Sequence, residues 1–129
     1  MIYLASPYSH PDPAVMQYLA SAYSHPDPAV RQYRYTAACK AAARLLQQGI
    51  NVFSPMAHSL PIAQIGGLPE TTWAFWEPFD REYIALSEKV VVLTLDGWDQ
   101  SVGVQAEIKI ARELGKPVTY LAPEPEEQS

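Results

Sequence analysis

Residues 90–116, VVVLTLDGWDQSVGVQAEIKIARELGK, constrain the fold of this chain more than any other stretch. Val90 to Leu95 make a short, β-branched apolar run bounded by Asp96-Gly97, the pattern of a parallel strand covered on both faces. Past the turn, Val104, Ile108, Ala111 and Leu114 recur at helical spacing, Lys109, Arg112 and Glu113 fall on the other side, and Gly115 stops the helix before Pro117. Glu107 lies inside the apolar stripe. An unpaired carboxylate there loses much of its hydration. It therefore has a partner or faces a cleft at the end of the sheet, unless it reaches solvent at the stripe's edge; the cleft is the favoured reading.

Composition narrows the class. At 129 residues the chain suits one domain, 1–129, with a core that needs no disulfide or metal staple. Cys39 is the single cysteine, which argues for a reducing compartment and against a zinc site. The start, MIYLASPY, has no basic leader, and no run approaches the ~20 apolar residues of a membrane span, so a cytoplasmic protein without a membrane partner is expected. A net charge of −5 and no dense basic patch exclude a nucleic-acid polymer as partner, while leaving room for a small anion held by helix-start amides.

The N-terminus is a tandem duplication: MIYLASPYSHPDPAV (1–15) is followed by MQYLASAYSHPDPAV (16–30), identical at thirteen of fifteen positions. Two copies are too few for a solenoid, so one of them supplies the first strand of an ordinary domain. Ile2 becomes Gln17 and Pro7 becomes Ala22, changes that lower strand fitness and raise helix propensity, which favours copy one as the strand. Copy two would instead preserve a short connection to the next helix.

After Asp27-Pro28 the segment AVRQYRYTAACKAAARLLQQG reads as a helix ended by Gly49, and Ile50 to Phe53 as a second strand. Residues 54–76, with Pro55, Pro61, Gly66-Gly67 and Pro69, are expected to form a long ordered loop containing at most a helical turn. Pro78 is expected to open a short helix with Asp80 near its start, Pro117 to Leu121 to form the last strand, and residues from about 123 to 129 to be a loose acidic tail. The expected fold is α/β: a three-layer, flavodoxin- or Rossmann-like parallel sheet of four or five strands with helices on both faces.

In such a sheet, ligands bind beyond the carboxyl ends of the strands where the strand order reverses. That brings together Tyr3, Ser6, Pro7 and Tyr8 from the first strand's end, Asp80, and the turn containing Gly97, Ser101 and Gly103. Ser101 and the free amides beside Gly103 suit a phosphate or a sugar hydroxyl, and Glu107 follows one turn below, about 6 Å along the axis. At Asp80 an acid favoured by the helix dipole and a site role weigh equally. His58 is a candidate substrate contact; His10 and His25 sit in duplicated SHPDP turns, and no HxxxH or HxH spacing indicates a metal. Trp73, Phe75 and Trp76 are expected to pack under the long loop rather than stack on a ligand, and Arg31 and Arg34 to be solvated rather than phosphate-binding. GxGxxG and GxxxxGK[ST] are both missing, so no dinucleotide cofactor or P-loop is expected.

IYLASPY, WEPFDREYIALSEKVVVLTLDGW and SVGVQAEIKIARELGKPV together resemble the nucleoside 2-deoxyribosyltransferase-like superfamily, over nearly the whole chain apart from the second repeat copy. The resemblance implies that Glu107 is the nucleophile attacking the anomeric carbon, Asp80 lies near the nucleobase, and Tyr3 orients Glu107. Transferases of this family carry an aspartate six residues before the glutamate, where this chain has Ser101. A carboxylate repels phosphate and serine does not. Serine there is similar to the branch that hydrolyses nucleoside 5'-monophosphates. The expectation is therefore an N-glycosidase of (deoxy)nucleoside 5'-monophosphates working through a glycosyl-glutamate intermediate; a base-exchanging transferase and a non-catalytic nucleotide-binding module are the alternatives. The resemblance further implies a small-molecule nucleotide or nucleoside partner and a homodimer or higher homo-oligomer.

Overall fold

The computed structural model describes residues 16–68 and 72–124. Four parallel strands, β1 (Gln17–Ala20), β2 (Val52–Phe53), β3 (Lys89–Leu93) and β4 (Val118–Leu121), form one sheet in the order β2-β1-β3-β4. Helices α1 (Pro28–Gln47), α2 (Pro55–Gly66), α3 (Trp73–Leu86) and α4 (Val102–Glu113) connect them, with a short 3-10 turn, Trp98–Gln100, before α4. The chain moves from β1 outward to β2, then crosses back past β1 to β3 and on to β4. Right-handed crossovers in opposite directions deposit their helices on opposite faces. Leu19, Val91 and Leu93 accordingly pack on Ala37, Ala41 and Leu45 of α1. Tyr18, Ala20, Val90 and Val92 pack on Ile84 of α3 and Val104, Ile108 and Ala111 of α4. This is the expected α/β architecture with helices on both faces. Among the described residues no helix is long and apolar enough to cross a membrane.

The first strand comes from copy two of the repeat, which corrects the expectation for copy one. Tyr18 lies between Phe53 of β2 and Val90 of β3, at the centre of the sheet. The positions at which the copies differ explain why propensity was a poor guide. Gln17 is the half-buried first residue of the strand, and Ala22 lies beyond its end. The fully buried Tyr18, Leu19 and Ala20 are the same in both copies. Connection length decides instead: only residues 21–27 separate β1 from α1, whereas a strand from copy one would have to loop out all of copy two. Copy one itself, residues 1–15, lies outside the described residues.

Two further expectations are corrected between β2 and β3. Residues 55–66 are a helix rather than a loop. Ser54 Oγ caps it by accepting from the Ala57 N–H at 3.2 Å, Pro55 occupies the first position, and Gly67, at φ 71°, ends it in the left-handed conformation. Only Pro61 interrupts it from within. Pro78 does not open a helix: α3 begins at Trp73, and Pro78 sits inside it. Packing of Trp73 and Ile84 on the core offsets the hydrogen bond that Pro78 cannot make. At the other end, Glu124 pairs with Arg44 at 2.7 Å, and residues 125–129 of the expected tail lie outside the described residues.

Candidate active site

Glu107 projects from α4 into the core beneath the sheet and is 5% exposed. Its side chain accepts a hydrogen bond at Oε2 from the hydroxyl of Tyr18, itself fully buried on β1. Asp80 of α3 is 6% exposed and interacts with both. Each member arrives by its own periodicity. Tyr18 points to the α3–α4 face because strand side chains alternate, Glu107 because it lies on the stripe of Val104, Ile108 and Ala111, and Asp80 because it precedes the buried Ile84 by one helical turn. Glu107 does not reach solvent at the edge of the stripe; it is buried with Tyr18 as its partner.

Burial dominates the electrostatics. It raises the Glu107 carboxyl from 4.5 to about 8; the Tyr18 hydrogen bond pulls it down, and the negative charge of Asp80 pushes it up further. Asp80 is raised by burial from 3.8 to about 7, with Tyr18 again acting to lower it. Burial first, and then the two carboxylates, hold the Tyr18 hydroxyl well above its ordinary value, so it remains a proton donor. At neutral pH the pair of carboxyls is not fully ionised. The phenol favours the anion of both carboxyls, and two carboxyls raised by burial around one phenol can share a proton between them, an arrangement suited to paired acid and nucleophile chemistry.

The aromatic surroundings were not anticipated. Phe53 stacks on Tyr83 with ring centroids 4.0 Å apart and lies 5.9 Å from Tyr18. His58, exposed near the start of α2, lies 5.1 Å from Phe53 and 5.8 Å from Tyr83. His58 of α2 and Phe75, Trp76, Phe79 and Tyr83 of α3 line an apolar groove of about 220 Å³. With a helix in place of the expected long loop, Trp73 packs on the core, and Phe75 and Trp76 line this groove. The signal available in the sequence was Tyr83, one helical turn beyond Asp80, and Phe53 at the end of the second strand.

Ser101 is the N-cap of α4, its Oγ accepting from the Val104 N–H at 3.2 Å, and Gly103 follows in the first turn. Gly97 has φ 90°, and a Cβ there would lie 2.8 Å from Arg34 Nη2. Arg34 donates to the carbonyl of Ser24 at 2.8 Å and of Asp96 at 3.1 Å, and Arg31 donates to the carbonyls of His25 and Pro26. Both arginines therefore hold the loop after β1, which corrects their expected role as solvated residues. His25 closes its own turn by accepting from the Asp27 N–H, and Asp27 caps α1. Tyr3, Ser6, Pro7 and Tyr8 lie outside the described residues. Their counterparts in copy two are Tyr18, Ser21, Ala22 and Tyr23, so Tyr18 stands in the place expected of Tyr3. Ser21 is 8% exposed, and its buried Oγ has no hydrogen-bond partner among the described residues.

No curated protein matches the chain by sequence. Among solved structures, a 2-deoxyribosyltransferase from Bacillus psychrosaccharolyticus is similar with a TM-score of 0.57 and 24% identity, over 84% of this chain and 72% of that one. At this identity the likeness carries the fold, in agreement with the superfamily resemblance of the motifs. The family model for a domain of unknown function, DUF1937, matches residues 1–122, and the chain belongs to that family.

Proposed function

We propose that this protein is an N-glycosidase that hydrolyses the base–sugar bond of a (deoxy)nucleoside 5'-monophosphate. The observation that carries the reading is the buried contact between Tyr18 and Glu107 beside Asp80, at a strand-order reversal between β1 and β3. Tyr18 engages Oε2, which leaves Oε1 of Glu107 to attack the anomeric carbon. As the C–O bond to Glu107 forms, the glycosidic C–N bond breaks and its electron pair leaves with the base. Asp80 supplies a hydrogen bond or its proton to that base. Water then attacks the same carbon, releases the Glu107 carboxylate and returns a proton to Asp80.

The 5'-phosphate is assigned to Ser101 and the amides beside Gly103, at a helix start where anions are favoured. Ser21 Oγ, buried just past β1 without a partner among the described residues, replaces Ser6 as a candidate contact to sugar or phosphate. Gly97, Tyr23 and His58 complete the binding surface. No cofactor enters this scheme. A homodimer or larger homo-oligomer and a cytoplasmic location belong to the same proposal; size-exclusion chromatography with light scattering tests the former.

Incubation with a panel of ribo- and deoxynucleoside 5'-monophosphates is expected to release free base, and Glu107→Ala is expected to abolish the release. Undiminished activity in that variant would sink the assignment. A second reading, base exchange between nucleosides, is favoured by the solved structure of similar fold, which is a 2-deoxyribosyltransferase. It requires that an added acceptor base be incorporated from an unphosphorylated deoxynucleoside. Ligand-dependent thermal stabilisation with neither release nor exchange would identify a binding module.

A further inference from the structure

Arg34 is the seventh residue of α1, and its guanidinium spans the mouth of the crevice where the loops after β1 and β3 separate. Of its five N–H donors, one on Nη1 goes to the Ser24 carbonyl and one on Nη2 to the Asp96 carbonyl. A Cβ added at Gly97 would lie 2.8 Å from Nη2. Among the described residues no carboxylate pairs with this arginine, in a chain whose net charge is −5. Arg31, one turn earlier, is likewise held only by backbone carbonyls. The one acid at the start of α1 is its N-cap, Asp27, whose carboxylate is engaged by the Ala29 N–H rather than by either arginine. A cation tethered by carbonyls, with no carboxylate partner among the described residues, is poised for an anion from outside.

We propose that Arg34 is a specificity-determining residue of the Glu107 site, tying the two loops together and presenting its charge to the phosphate of the ligand. The assignment rests on the reading of that site as one for nucleoside 5'-monophosphates. The turn that Arg34 grips, from Asp96 to Gln100, delivers Ser101 to the start of α4, so one guanidinium fixes the turn and adds the positive charge that Ser101 lacks. A nucleoside without phosphate gains the first effect and not the second.

The test is calorimetric binding of each common deoxynucleoside 5'-monophosphate, the matching deoxynucleoside and inorganic phosphate to the wild type, Arg34→Gln and Arg34→Lys, with thermal unfolding to verify that each variant is folded. Arg34→Gln is expected to weaken monophosphate binding by about tenfold or more while the deoxynucleoside changes by less than about twofold. Arg34→Lys keeps the charge but loses the two-pronged grip, and falls between. Equal losses for both ligand types, or no loss for either, would overturn the proposal, as would a wild type indifferent to phosphate. Base release followed in parallel separates the two claims. Charge-selective binding without base release retains Arg34 and removes the hydrolase, whereas base release with an unchanged KM in Arg34→Gln retains the hydrolase and removes Arg34.

Discussion

Tyr18 and Glu107, 89 positions apart in sequence, meet in a buried hydrogen bond that joins the first strand to the last helix. The phenol donates to Oε2, so it stabilises the carboxylate form of Glu107.

Tyr18→Phe removes that bond without changing the volume of the side chain. A hydrogen bond to a charged group is worth about 1.5–3 kcal/mol, so base release is expected to fall about 10- to 100-fold. Because Tyr18 acts to lower the Glu107 pKa, the acid limb of the rate profile is expected to move to higher pH. Tyr3→Phe is the control: it changes the copy that does not form β1, and its rate is expected to stay within about twofold of wild type. Kinetics on the two single variants decide the matter, and a larger loss in Tyr3→Phe would reverse the assignment of the strand.

The raised carboxyls also set how stability responds to pH. Asp80 goes from 3.8 to about 7 and Glu107 from 4.5 to about 8 on folding, so between these limits the folded chain keeps protons that the unfolded chain releases. Their favourable contribution is fully present below about pH 4 and is lost as the pH rises through 7 and 8. Thermal unfolding is expected to show a Tm several degrees lower at pH 8.5 than at pH 5.5. Asp80→Asn and Glu107→Gln should each flatten the dependence, since an amide has no proton to lose. Slopes identical to wild type in both variants would mean that the carboxyls are not buried as described.

Much of this arrangement was legible before the structure. The β3–α4 unit followed from its change of period, and the burial of Glu107 followed from its place on the stripe of Val104 and Ile108. Ser101 was legible as a helix start because a hydroxyl there satisfies an otherwise unpaired amide. The identity of β1 was not, since the two copies agree at every fully buried position of the strand and differ only at its margins. Helix α2 was hidden by weighing Pro55 and Gly67 as breakers when they are its start and stop. The Arg34 contacts left no trace in the sequence because their acceptors are backbone carbonyls, which every residue possesses.

Ser101 separates substrate choice from fold. Ser101→Asp keeps a good N-cap, so stability is expected to change little, but it places a carboxylate where the phosphate is assigned. Steady-state kinetics should show KM for nucleoside monophosphates rising about tenfold or more while the unphosphorylated nucleoside is unaffected or improved. Ser101→Ala does the reverse. It loses the bond from the Val104 N–H and about 1 kcal/mol of stability, with a smaller effect on the ratio of the two substrates. Equal KM changes for both substrates in Ser101→Asp would remove the phosphate from this helix start.

Removal of residues 1–15 tests the sheet directly. The chain that remains begins at Met16, whose carbonyl accepts from the Glu88 N–H at 2.7 Å, and it contains every strand and helix of the described residues. Gln17 still finds the Asn51 carbonyl through its backbone N–H at 2.8 Å, so β1 loses no described ladder contact. Copy two also keeps Tyr18, Ser21 and the capping Asp27. The shortened protein is therefore expected to be folded, with a Tm within about 3 °C of the full chain, a stability difference below about 1 kcal/mol. Base release is expected to persist at about the full rate. Thermal unfolding and the base-release assay on purified 16–129 check both. A protein that cannot fold without residues 1–15 would show that copy one supplies packing, and that the duplication is a working part of the domain.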